Sequence, residues 1–63
     1  MYAFIRTDAG LFKIYARGDD WQVIGPNNFE RWFSAWRANY SASLARVVGC
    51  IPGADPADLV ICE

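Results

Sequence analysis

Two short turn signals, Asp8-Ala9-Gly10 and Gly18-Asp19, break up the first 24 residues, and the runs between them alternate apolar with polar side chains. No other feature restricts the fold as much. Glycine enters the left-handed backbone region freely, so each signal can reverse the chain within two or three residues, and period-two alternation is what a strand with one buried face requires. Residues 2–7 and 11–17 are therefore expected to pair as a hairpin. With a three-residue Asp8-Ala9-Gly10 loop, Thr7 opposes Leu11, Phe4 pairs with Ile14 and Tyr2 with Ala16, while Ala3, Ile5, Lys13 and Tyr15 share the other face. A two-residue Ala9-Gly10 turn would exchange the faces of the first strand, because a slip of one residue does so.

The second reversal suits a type II′ turn at Gly18-Asp19, which pairs Arg17 with Asp20, Ala16 with Trp21 and Ile14 with Val23 and makes Trp21 to Ile24 a third strand. Phe12, Ile14, Trp21 and Val23 then fall on one buried face, and Lys13, Tyr15 and Arg17 on the other. Gly25-Pro26-Asn27 ends the strand. Asn28 has the side chain of a helix N-cap, and Phe29, Phe33, Trp36 and Tyr40 recur at helical spacing, so a helix is expected from Phe29 to about Ser41. Leu44 and Val47 would extend the stripe toward Gly49. Against that, Asn39 to Ser43 holds few strong helix formers and Val47-Val48 prefers extended backbone, so Leu44 to Ile51 is read as a fourth strand. Asp55-Pro56-Ala57-Asp58 reads as a cap and first-turn proline for one helical turn, and Leu59 to Glu63 as a fifth strand.

The expected fold class is thus α+β: one domain over residues 1–63, with a mostly antiparallel four- to five-stranded sheet in the order β-β-β-α-β-β and one amphipathic helix on one face. A chain of 63 residues buries only about 60% of its unfolded surface, leaving little interior for a deep substrate pocket. Histidine is absent, which removes the commonest general base and metal ligand, and two cysteines cannot complete a zinc site. No enzyme activity, cofactor or metal is expected. Six basic and seven acidic residues leave a net charge of −1, without the basic excess of a duplex-DNA binder. The N-terminus lacks the pattern of a secretory signal and no run is long enough to span a membrane, so the expected location is the bacterial cytosol, with Cys50 and Cys62 reduced and buried as small hydrophobes.

The candidate site is Lys13, Tyr15 and Arg17, with Arg6 as a possible extension and Asp19 and Asp20 at the neighbouring turn. One helix cannot cover both faces of a sheet, and an aromatic ring between two cations on the open face is a binding patch for an acidic protein surface or for nucleotides. Asp19 and Asp20 would repel phosphate, and the paired-aromatic signature of RNA-recognition sheets is missing, so a protein partner is preferred to a small nucleic-acid-binding module. Arg17-Gly18-Asp19 spells an adhesion tripeptide, a chance-level match. In length, near-neutral charge, lack of a catalytic set and sheet-plus-helix plan, the chain resembles the short phage and mobile-element proteins that include anti-CRISPR proteins. That resemblance implies a non-catalytic inhibitor which binds a CRISPR-Cas effector complex, often type I, and blocks target-DNA recognition or nuclease recruitment. It carries over no residue.

Overall fold

The computed structural model describes residues 2–34 and 40–62. Five strands form one antiparallel sheet: β1 (Tyr2–Thr7), β2 (Gly10–Arg17), β3 (Asp20–Ile24), β4 (Glu30–Ser34) and β5 (Val60–Cys62). Their spatial order is β4-β3-β2-β1-β5. One helix, α1 (Tyr40–Gly49), follows β4, and a single 3₁₀ turn at Pro56–Asp58 leads into β5. The α+β class, the antiparallel sheet and the single helix on one face agree with expectation. The element order is β-β-β-β-α-β, so the helix enters one strand later than the sequence suggested.

The meander through β3 follows from its turns. Gly18 takes φ 60°, and Arg17 faces Asp20, Ala16 faces Trp21 and Ile14 faces Val23, as the two-residue turn requires. The first hairpin closes differently from the expected three-residue loop. Thr7 faces Gly10 across a two-residue Asp8-Ala9 turn, so Ala3 pairs with Ile14, Ile5 with Phe12, Phe4 with Lys13 and Tyr2 with Tyr15. The Thr7 hydroxyl helps to set this shorter turn by accepting from the Ala9 amide at 3.1 Å. The slip of one residue turns Ala3 and Ile5 into the core and Tyr2 and Phe4 onto the open face, the reverse of the expected arrangement.

The second correction concerns Asn27 and Asn28. Both have positive φ, 58° and 62°, and the Phe29 amide donates to the Pro26 carbonyl at 3.2 Å. These are the marks of a type I′ hairpin turn, which asparagine tolerates better than most side chains. Asn28 therefore reverses the chain into β4 instead of capping a helix, and residues 30–34 of the expected helix are a strand; 35–39, with Trp36, lie outside the described residues, and Tyr40 and Ser41 fall within α1.

The helix falls where a fourth strand was expected. Leu44, Val47, Val48 and Ile51 are all buried, at the i, i+3, i+4, i+7 spacing of a helix face, and this burial outweighs the weak extended preference of two valines. They pack with Ala3, Ile5, Phe12, Ile14, Trp21 and Val23 of the sheet. The Trp21 indole N–H donates to the Ser43 hydroxyl at 2.9 Å inside this core, tying the sheet to the helix. Phe29 and Phe33, expected in the core, are half-buried at its margin. Asp55 caps the 3₁₀ turn by accepting from the Ala57 amide at 3.0 Å, with Pro56 in its first turn, as anticipated. Both cysteines are free thiols, but neither is buried: Cys50 is exposed just past the helix and Cys62 is half-exposed on β5.

Candidate functional site

The face of the sheet turned away from α1 is assembled by register alone. Because every neighbouring pair is antiparallel and in step, side chains directly opposite one another share a face. One row crosses all five strands: Cys62, Tyr2, Tyr15, Gln22 and Trp32. A second row beside it runs Val60, Phe4, Lys13, Ile24 and Glu30. Arg17, Asp20 and Ser34 flank the first row, and Arg6 and Leu11 flank the second.

Contacts within this face fix several of the side chains. The Tyr2 and Tyr15 rings stack at 5.7 Å, and Tyr2 also stacks on Phe4 at 6.3 Å. The Arg17 guanidinium lies 4.9 Å from the centre of the Tyr15 ring, the geometry of a cation–π contact. Its Nε donates to Gln22 Oε1 at 3.2 Å, and Gln22 Nε2 donates to Glu30 Oε2 at 2.7 Å. A relay of three polar side chains thus spans β2 to β4 and holds Arg17 over Tyr15. Contact with Cys62 raises the Tyr2 pKa above the ordinary tyrosine value, first through a side-chain hydrogen bond and then through electrostatic repulsion; desolvation and nearby Tyr15 add to it.

Of the expected site residues, Lys13, Tyr15, Arg17 and Asp20 stand together on this face, with Asp19 in the adjoining turn. Arg6 lies on the same face but at the far end, opposite Leu11 and six residues along β2 from Arg17, so it does not join the patch. Sequence reasoning missed Tyr2, Phe4, Gln22, Glu30 and Trp32. The shorter first turn was the signal for Tyr2 and Phe4, and the Asn27-Asn28 pair was the signal for β4. Trp32 is 54% exposed, and Tyr2, Ile24 and Val60 are also exposed apolar side chains of this face. The opposite face, under α1, keeps Arg31 5.5 Å above the Phe29 ring.

At the β1–β5 side a groove is lined by Phe4, Arg6, Thr7, Asp8, Asp58 and Val60, which bring one guanidinium, one hydroxyl and two carboxylates to it. Among the described residues no group of three or more histidine, cysteine, aspartate or glutamate side chains is placed to hold a metal ion. None of the described helices is long and apolar enough to cross a membrane. Comparison with family models, curated proteins and solved structures finds no match.

Proposed function

We propose that the chain is a non-catalytic protein-binding inhibitor that docks on its target through the open face of the sheet. The observation that carries this reading is the aromatic and polar row Tyr2, Tyr15, Gln22, Trp32, with Arg17 held over Tyr15. Tyrosine, tryptophan and arginine are the side chains that dominate interface energetics; here Tyr2, Arg17 and Trp32 are exposed, Tyr15 is half-buried between Tyr2 and Arg17, and the stacking contacts pre-order them in part, which lowers the entropy lost on binding. The charge pattern selects the partner class. Lys13 and Arg17 sit beside Asp20 and Glu30, so a phosphate backbone would meet repulsion along part of the face, whereas a protein surface can set carboxylates against the cations and a basic side chain against the acids.

The resemblance to anti-CRISPR proteins makes a type I CRISPR-Cas effector complex the target, in the cytosol of a bacterial host. Inhibition is then steric: the docked domain covers the surface that recognises target DNA or recruits the nuclease. The test is binding of the purified chain to an immobilised type I effector complex, read beside that complex's uptake of target DNA. Wild type should bind and block DNA uptake, and the double variant Tyr15→Ala, Arg17→Ala should do neither while keeping its fold. No binding to the effector would overturn the target assignment. Tight, steeply salt-dependent binding of single-stranded nucleic acid by the wild type would replace the reading with a nucleic-acid module.

A further inference from the structure

The backbone of β4 carries an inference independent of the open-face chemistry. The Gly25 amide donates to the Phe29 carbonyl at 2.9 Å, which marks Phe29 as a hydrogen-bonded partner of the β3 side. Antiparallel pairing alternates, and the same register faces Arg31 with Val23 and Phe33 with Trp21, so these residues also direct their backbone groups at β3. The N–H and C=O groups of Glu30, Trp32 and Ser34 consequently point away from the sheet. Among the described residues β4 pairs with β3 alone. Natural edge strands are blunted by proline, by a bulge, by being very short or by charged side chains; β4 has five residues in unbroken register and no proline, its two charges, Glu30 and Arg31, fall on opposite faces, and its central side chain is a half-exposed tryptophan. The other edge is different, since β5 has only three residues.

We propose that this edge is where a second copy of the chain pairs, antiparallel and two-fold symmetric about Trp32. The sequence Glu30-Arg31-Trp32-Phe33-Ser34 is suited to itself in that register. Glu30 faces the partner's Ser34, whose hydroxyl can donate to the carboxylate; Arg31 faces the partner's Phe33, a cation against a ring; Trp32 faces its own copy. All three outward-facing residues on each side complete backbone hydrogen bonds. A shift of two residues one way opposes Arg31 to Arg31, a like-charge clash, and a shift the other way opposes Phe33 to Phe33 and gives up both the Glu30–Ser34 and the Arg31–Phe33 pairs. Because the pairing consumes the longer of the two edges among the described residues, assembly closes at two copies. It also joins the two open faces, so the row ending at Trp32 continues into the second copy as one ten-strand surface.

The test is sedimentation equilibrium from dilute to concentrated protein, together with amide hydrogen exchange by NMR at both ends of that range. Wild type should pass from 7.1 kDa to twice that mass as concentration rises. The Glu30, Trp32 and Ser34 amides should gain protection in step, while the Ile61 amide of β5 does not. Trp32→Lys, which sets two ammonium groups against each other on the axis, should sediment as a monomer throughout with an unchanged circular dichroism spectrum. Ser34→Pro, which removes an outward N–H together with the hydroxyl that faces Glu30, should weaken the association in the same way. Tyr15→Ala should leave it intact, which separates this interface from target docking. A wild type that stays monomeric, a dimer whose β4 amides gain no protection, or a dimer that survives Trp32→Lys would each overturn the proposal.

Discussion

The link between Trp21 and Ser43 is where the account of the fold is most exposed to test. Trp21 is fully buried, and its indole donates at 2.9 Å to a hydroxyl on the helix that the sequence pattern had assigned to a strand. Trp21→Phe removes the donor and the five-membered part of the ring while keeping a six-membered ring in the core. Loss of the hydrogen bond is worth about 1 kcal/mol, and the missing ring atoms with the space they leave about 1–2 kcal/mol, for a total of roughly 2–3 kcal/mol. A 63-residue domain holds on the order of 3–9 kcal/mol in all, so the variant should remain folded with its melting temperature lowered by roughly 10–20 °C. Ser43→Ala removes the acceptor from the other side. A thermal-melt double-mutant cycle over the two sites should return a coupling of about 1 kcal/mol. Coupling indistinguishable from zero, or a Trp21→Phe melt within about 3 °C of wild type, would refute the packing of α1 on β3 through this pair.

Other consequences can be checked by the same melts. A methyl group at Gly25 would sit 2.3 Å from the ring of buried Phe12, so Gly25→Ala should destabilise by about 1–3 kcal/mol; a neutral effect would show that the ring has room to move. Leu44→Ala should cost about 2–4 kcal/mol because the side chain is 4% exposed, whereas Trp32→Ala in dilute protein should stay within about 0.5 kcal/mol. The opposite ranking would restore the helix to residues 29–41. Tyr2 is held above its ordinary value when folded, so its contribution to stability is complete below the unfolded tyrosine pKa and is lost as pH rises through the folded one; ultraviolet titration should show one late tyrosine that disappears in Tyr2→Phe and moves toward the ordinary range in Cys62→Ala.

How far the sequence reveals the molecule depends on which residues are asked. The β2–β3 hairpin was legible to the residue pair, because Gly18 leaves little choice of turn and the alternation on both sides agrees with it. For the same reason Lys13, Tyr15, Arg17 and Asp20 could be assigned to one face before any coordinates. The first hairpin was legible as a hairpin, but not its register, since Asp8-Ala9-Gly10 admits loops of two or three residues whose free energies differ by less than local propensity resolves. Residues 28–51 misled for a sharper reason. Phe29, Phe33, Trp36 and Tyr40 fit a helix as well as Phe29, Arg31 and Phe33 fit one side of a strand, and Val47-Val48 weighs locally toward extended backbone. Tertiary burial of Leu44, Val47, Val48 and Ile51 decides in favour of the helix, and only the left-handed pair Asn27-Asn28 announced locally that the chain turns back before it.

The central claim, that the open face engages a protein target and silences it, is tested most directly in infected cells. Bacteria with an active type I CRISPR-Cas system, expressing the chain and challenged with a phage the system targets, report inhibition as restored plaques. The account predicts that wild type restores plaquing, that Tyr15→Ala, Arg17→Ala expressed to the same level does not, and that Ala45→Glu on the exposed side of α1 behaves as wild type. Restoration by the folded double variant as fully as by wild type, or none by wild type itself, would contradict it.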